Sequence, residues 1–176
     1  IVAERFYSGL KIRKESDSKK IKPVFIHDNH IEGVSVVFAK CCNPVYKDPV
    51  IAHSDTERGI VIHHSKCQEV APYKQDKDRY IPSFWSTDNR KQVRPCHIKV
   101  LSESGPGVLA DIASTFTKSD INIISVISKS AGSKLTEFSF DIEIYDLIEL
   151  KKIMQKVRSM KIVSSCVRDI NEAKKK

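Results

Sequence analysis

Apolar and polar positions alternate most regularly in the second half of the chain. Cys96, Ile98 and Val100 alternate with His97, Lys99 and Leu101, the period of a half-buried strand. Ser104-Gly105-Pro106-Gly107 breaks it. Val108, Leu109, Ile112, Ala113 and Phe116 then recur at helical spacing, predicting a helix to about Ser119. Asp120-Ile121-Asn122 opens a β-branched run through Ile127, and Ala131-Gly132-Ser133 turns the chain. Thr136, Phe138, Phe140, Ile142 and Ile144 alternate with Glu137, Ser139, Asp141 and Glu143, a third strand. Asp146 suits a helix N-cap, with Glu149 in the capping-box position. Leu147, Leu150, Met154 and Val157 line one face of the helix that follows. A last strand, Ile162 to Ile170, is expected to bury Val163 and Val167 by alternation. Cys166, which shares the parity of Arg168, is then exposed, and Cys96 is core.

The order βαββαβ predicts a ferredoxin-like unit, one sheet face covered by two helices. The other face would present His97, Lys99, Glu137, Ser139, Asp141 and Glu143. RNA-recognition motifs share this topology but need stacking aromatics on that face. Phe138 and Phe140 have inward parity and three acids sit where phosphates would approach, so that mode is disfavoured. Lys151, Lys152, Lys156, Arg158 and Lys161, on and after the second helix, are a better anionic contact. A solvated helix face explains them as well.

The first half carries the candidate chemistry. Cys41-Cys42-Asn43-Pro44 is answered by His63 and then by Cys67. The spacing His63-x-x-x-Cys67 lets both side chains face one way, and four such ligands suit tetrahedral Zn²⁺. Adjacent cysteines on a strand point to opposite faces, so both ligate only if the backbone turns, which Pro44 favours. The alternative is that one or two cysteines are buried small apolar groups. No signal peptide marks an oxidising compartment, so a metal or thiol role is favoured over disulfides.

Length and charge change the picture little. The 176 residues suit one medium domain or two small ones. No apolar run approaches the roughly 18 residues of a membrane span, so no membrane partner is expected. Net charge is 30 − 22 = +8, which admits an anionic partner or a merely basic protein. The start at Ile1 rather than Met suggests a fragment of a longer protein. Residues 1–22, with the charged stretch Lys11 to Lys22, read as a linker or helix end. Residues 23–90 form the cysteine-rich unit and 91–176 the ferredoxin-like one, with a polar boundary near residues 71 to 94. Within that boundary Ile81, Phe84 and Trp85 make an apolar island. Phe84 and Trp85 could stack on a nucleobase, but a domain-edge anchor is the favoured reading.

These residues resemble the C-terminal regulatory region of RelA/SpoT-type alarmone synthetase/hydrolases, over roughly residues 31 to 170. Val36-Val37-Phe38-Ala39-Lys40-Cys41-Cys42-Asn43-Pro44, Asp48-Pro49-Val50 and Arg58-Gly59-Ile60-Val61-Ile62-His63-His64-Ser65-Lys66-Cys67 look like that family's conserved-cysteine, or zinc-finger, domain. Glu103-Ser104-Gly105-Pro106-Gly107-Val108-Leu109-Ala110-Asp111-Ile112 looks like the opening of its terminal ACT domain. The resemblance implies an α+β chain, a small cysteine-rich α/β domain followed by a ferredoxin-like ACT domain. It implies Cys41, Cys42, His63 and Cys67 as zinc ligands, with His63 rather than His64 facing the cluster.

It also implies a cytoplasmic regulator, not a catalyst. The parent would be a GTP pyrophosphokinase and/or (p)ppGpp 3'-pyrophosphohydrolase, its Mg/Mn-using catalytic half lying N-terminal to this region. Ribosomal RNA, deacylated tRNA and that catalytic half are the implied partners, with self-association through the ACT domain. Arg58, His64, Lys66, Lys151, Lys152 and Lys156 are the candidate RNA contacts. A solvated position suits His64 equally. Gly105, Pro106 and Gly107, with Asn122, could receive an amino acid at the helix N-terminus, although a tight loop required by the fold explains the glycines too. A dimerising ligand sensor, pairing along the strand Ile121 to Lys129, is the alternative function.

Three departures from the family pattern bear on the backbone. Tyr46-Lys47 replaces the usual Pro-Gly, and Ala52 and Glu57 stand where Gly is usual. Gly permits φ > 0 and other residues tolerate it poorly, so the loop geometry is expected to differ here. Ser104-Gly105 replaces the common Asp-Arg, removing an acid that would hold an amino-acid ammonium.

Overall fold

The computed structural model describes residues 24–26, 30–31, 34–70, 72, 80–86 and 92–171. The expected linker 1–22 lies outside them, as does most of the polar boundary. Two units follow each other along the chain.

The first is made of short strands: β1 (Val24–Ile26), β2 (His30–Ile31), β3 (Val34–Phe38), β4 (Val50–Asp55), β5 (Gly59–His64), β6 (Tyr80–Ile81) and β7 (Ser83–Trp85). Five of them form one sheet in the order β2-β3-β5-β4-β6, and β1 pairs in parallel with β7. β3 and β5 are parallel while β4 and β5 form a hairpin. Its turn at Asp55–Arg58 is closed by the Asp55 carboxylate, which accepts from the backbone of Glu57 and Arg58. Among the described residues this unit contains only one helical turn, the 3-10 turn Gln68–Val70. The mixed α+β class holds for the two units taken together, with both α-helices of the described residues in the second.

That second unit follows the expected order. β8 (Arg94–Glu103), α1 (Val108–Thr117), β9 (Ile123–Ser130), β10 (Leu135–Ile144), α2 (Leu147–Arg158) and β11 (Val163–Arg168) give an antiparallel sheet ordered β11-β8-β10-β9. The helices bury Ile112, Phe116, Leu150, Ile153, Met154 and Val157 against Ile98, Val100, Phe140 and Ile142 of the sheet. Asp146 caps α2 through its Oδ1, accepting from Glu149 N at 2.8 Å. The Glu149 carboxylate reaches back to Tyr145 N at 2.7 Å, one residue before the usual capping-box donor.

The last strand departs from simple alternation. Register against β8 shifts between Val163 and Ser165, so one extra residue is inserted on β11. The bulge flips the parity beyond it. Cys166 is 1% exposed in the core and Val167 is 50% exposed, the reverse of the expected order. Arg168 therefore points inward too, toward the first unit. Substituting Cys166→Ser should cost about 1–3 kcal/mol by burying a hydroxyl, while Val167→Thr should stay within about 0.5 kcal/mol. Chemical denaturation of the two variants measures this, and equal losses would contradict the bulge.

Candidate metal centre and domain junction

The centre forms where β3 ends. Cys42 N and Asn43 N both donate to Ala39 O, at 3.4 and 3.0 Å, reversing the chain. Asn43 follows at φ 40°, in the left-handed region that Asn tolerates better than most residues. This turn brings two neighbouring sulfurs to one side, which an extended strand cannot do. His63 arrives on β5, and Ala39 N donating to Ile62 O at 2.9 Å extends the β3–β5 ladder to the level of the turn. Cys67 lies on a second turn, where its amide donates to His64 O at 2.9 Å.

Cys41 Sγ is 3.4 Å from His63 Nδ1 and 3.5 Å from Cys67 Sγ, and Cys42 Sγ is 3.7 Å from His63 Nδ1. All four ligand atoms lie within 4.8 Å of one another. Bonds of about 2.3 Å to sulfur and about 2.0 Å to nitrogen put tetrahedral edges at about 3.8 Å (S···S) and about 3.5 Å (S···N). The cluster is thus already close to the spacing of a four-coordinate Cys3His set. Its residues fit a metal of that preference.

Burial shapes the protonation of these groups. It raises the Cys41 thiol to about 11, with Cys67 adding to the effect, and raises Cys42 further. Burial, and then the neighbouring His53, lower His63 to about 4, so its imidazole is neutral at pH 7 and its Nδ1 lone pair is available. His64 N donates to Cys42 Sγ at 3.3 Å, an interaction that favours the thiolate a metal requires.

Residues behind the cluster orient it. His63 Nε2 is 3.3 Å from His53 Nε2, and His53 Nδ1 is 3.3 Å from Ser54 O. A carbonyl only accepts, so His53 carries its proton on Nδ1. Its Nε2 then accepts from His63 Nε2–H, which leaves Nδ1 of His63 directed at the thiols. This is the outer-shell arrangement that fixes a ligand's tautomer. Both histidines border a cleft of about 480 Å³ that also reaches Phe38, Lys40, Arg58 and the half-buried Cys41.

The loop after the cluster joins the two units. Asp48 is buried and forms a two-pronged ion pair with Arg168 at 2.8 Å on each oxygen. Trp85 Nε1 donates to Asp48 O at 2.8 Å, its ring stacked on Phe38 and edge-on to Tyr46. Trp85 is thus the expected anchor. Phe84 lies exposed beside Phe25.

Several candidates take different positions from those expected. His64 is buried, not solvated. Its Nδ1 accepts from Lys66 N at 3.0 Å, and its Nε2 lies 3.9 Å from Asp48, too far for a direct hydrogen bond. Burial lowers its pKa despite Asp48, so it is uncharged at pH 7. Arg58 is exposed but pairs with Asp55 at 2.8 Å. Lys66, Lys151, Lys152 and Lys156 are exposed, Lys156 donating to Ser119 Oγ at 2.9 Å. Gly107 stands at φ 80°, so the fold itself requires that glycine. Asn122 donates to Glu143 at 2.9 Å and borders a depression to which residues 105–107 contribute no lining. His53, Asp48, Arg168 and Ile170 were not singled out from sequence. An arginine within an apolar strand was the available signal for Arg168.

Two family models match in tandem, the RelA/SpoT RIS domain over residues 25–86 and the ACT domain over residues 90–168. This chain belongs to the C-terminal region of the RelA/SpoT family. It is 29% identical over 140 residues to the bifunctional (p)ppGpp synthase/hydrolase SpoT of Escherichia coli K12, covering 80% of this chain and 20% of that protein. It is 30% identical over 138 residues to a GTP pyrophosphokinase of Myxococcus xanthus, covering 78% and 18%. The chain thus spans about a fifth of the length of the curated relatives it matches, and aligns with their regulatory rather than their catalytic part. A solution structure of the ACT domain from GTP pyrophosphokinase of Chlorobium tepidum shares 20% identity, with a TM-score of 0.40 over 45% of this chain and 89% of that one.

The family departures in the RIS loop test separately. Lys47 stands at φ 68°, a glycine-like conformation, whereas Ala52 and Glu57 have no positive φ and need no glycine. Lys47→Gly should raise stability by about 0.5–1 kcal/mol, and Glu57→Gly should lower it or leave it unchanged. Thermal unfolding of both variants checks the contrast.

Proposed function

We propose that this RIS–ACT region is the sensor of a (p)ppGpp synthetase/hydrolase, reading the ribosome and deacylated tRNA and controlling catalytic domains that precede it in the parent protein. The tandem RIS and ACT match is the observation that carries this reading. The parent would act in the cytoplasm, with Mg/Mn in its catalytic half. No described helix is long and apolar enough to cross a membrane. Zinc held by Cys41, Cys42, His63 and Cys67 is the structural support of the RIS domain. In that role it fastens the two turns that carry the cysteines, as a closed structural site does.

RNA contact in this reading falls to Arg58 and Lys66 of the RIS domain and Lys151, Lys152 and Lys156 of α2, all exposed. Co-sedimentation with purified ribosomes, with and without deacylated tRNA, tests it at two salt concentrations. Salt-sensitive pelleting strengthened by tRNA is expected, and Glu in place of these basic residues should weaken it and flatten the salt dependence. Unchanged pelleting of the substituted protein would sink the assignment. Metal analysis of protein purified without added zinc should find close to one equivalent, and less than about a tenth of an equivalent ends the zinc reading.

A second reading has one specific observation behind it. β9 is a sheet edge carrying Ile124 and Ile127, each 51% exposed, with Val126 beside them. Such an edge suits pairing with a second copy in an amino-acid-responsive dimer. Sedimentation showing a ligand-tightened dimer with no RNA affinity would favour it.

A further inference from the structure

We propose that Arg168, on the last strand of the ACT domain, is a positioning residue of the metal centre, so that metal occupancy and ACT docking are thermodynamically linked. The inference rests on the metal reading above and concerns what completes that site.

The turn bearing Cys41 and Cys42 continues directly into Asn43 and the loop to Asp48. Arg168 closes on both ends of that loop. Its Nη1 and Nη2 each donate to the Asp48 carboxylate at 2.8 Å, and Nη2 also donates to Asn43 O at 3.0 Å. The Asp48 side chain is 0% exposed and that of Arg168 10% exposed. Asp48 in turn accepts from Val45 N at 2.8 Å, so the carboxylate braces its own loop as well. Val45 is wholly buried in the ACT core, and Tyr46 O accepts from Leu147 N, a free amide at the start of α2, at 2.9 Å.

The chain just past β11 engages the other ligand-bearing turn. Ile170 joins the apolar cluster of Ala39, Cys42, Ile51, Val61, Cys67 and Val70, which includes two of the thiols. Asn171 Oδ1 accepts from Gln68 N at 3.1 Å, beside Cys67. The ACT domain thus holds Asn43 and Gln68, the residues immediately after Cys42 and Cys67. A metal held by Cys41, Cys42, His63 and Cys67 would fasten the same two turns.

Two agents that order the same turns favour each other's binding. Coupling of this kind is reciprocal: whatever factor docking contributes to metal affinity, metal contributes to docking. The buried pair makes the dependence steep. Removing the guanidinium leaves Asp48 charged and uncompensated inside the junction, and the loop must open to solvate it.

Both directions are measurable on the full chain. Zinc affinity is read by competition with a chromogenic chelator. Arg168→Gln should weaken it at least tenfold and Ile170→Ala several-fold, while Val167→Ala, on the exposed side of the same strand, leaves it unchanged. Conversely, stripping zinc from the wild-type chain should speed hydrogen exchange of the Leu147 amide at least tenfold and leave that of Phe140, inside the ACT sheet, unaltered. Equal zinc affinity in folded Arg168→Gln and in Ile170→Ala overturns the proposal. So does a Leu147 amide indifferent to a metal shown to be bound. If Arg168→Gln does not fold, Ile170→Ala and the exchange measurement decide. A wild-type chain that binds no zinc overturns the metal reading first, and the two failures are thereby distinct.

Discussion

The reversal of the chain at Ala39 is the constraint on which the first domain depends. One carbonyl there receives two amides, and the next residue but three adopts a left-handed conformation. Without that reversal Cys41 and Cys42 would face opposite sides of a strand. With it, both thiols meet an imidazole that the parallel β3–β5 ladder has set at the same height. The cluster is therefore a product of backbone geometry, and its near-tetrahedral spacing exists before any ion is considered. The His53–His63 contact extends this outward by settling which ring nitrogen faces the thiols.

The junction between the domains is polar at its centre and apolar around it. A buried ion pair alone is weak support for stability, since desolvation offsets most of the attraction. Here the Asp48 carboxylate has three donors, and the Arg168 guanidinium finds a carbonyl as well as its counter-charge. Burial would lower the arginine's pKa, but the hydrogen bond to Asp48 and the attraction of nearby negative charge together raise it above its ordinary value. Val45, Ile170 and the Trp85–Phe38–Tyr46 aromatic group surround the pair. Such a junction specifies one docking geometry: any slippage would strand a charge, whereas an apolar contact would tolerate it.

Much of the ACT domain was legible because its elements are long. Ten residues of β8 and ten of β10 give the period room to show, and α2 carries a cap of the expected type. Alternation fails on β11 at one place, where a single inserted residue exchanges the faces of Cys166 and Val167. Bulges have no period of their own, so alternation fails beyond them. The first domain is readable in its cysteine–histidine cluster but not in its strands. β1, β6 and β7 are two or three residues long, too short to display a repeat. Its ligand set showed in sequence because chelating chemistry depends on residue type, whereas Asp48 and Arg168 meet across 120 residues and only the fold joins them.

The charge of the chain also reads differently once folded. On the face of the ACT sheet away from its helices His97 bonds to Asp141 at 2.7 Å, Lys99 to Asp169 at 2.6 Å and Ser125 to Asp141 at 2.6 Å, so its two basic side chains are engaged within the domain. Arg168 is consumed within the junction, and Arg58 is held by the turn of its own hairpin. The basic groups left facing solvent include Lys66 and the lysines of α2. Lys66 is not an independent surface residue. Its amide is fixed by His64, whose own amide is fixed by Cys42, and Cys67 follows it directly. Where Lys66 projects is therefore set by the cysteine–histidine cluster, so loosening that cluster would shift Lys66 through the backbone without touching its side chain.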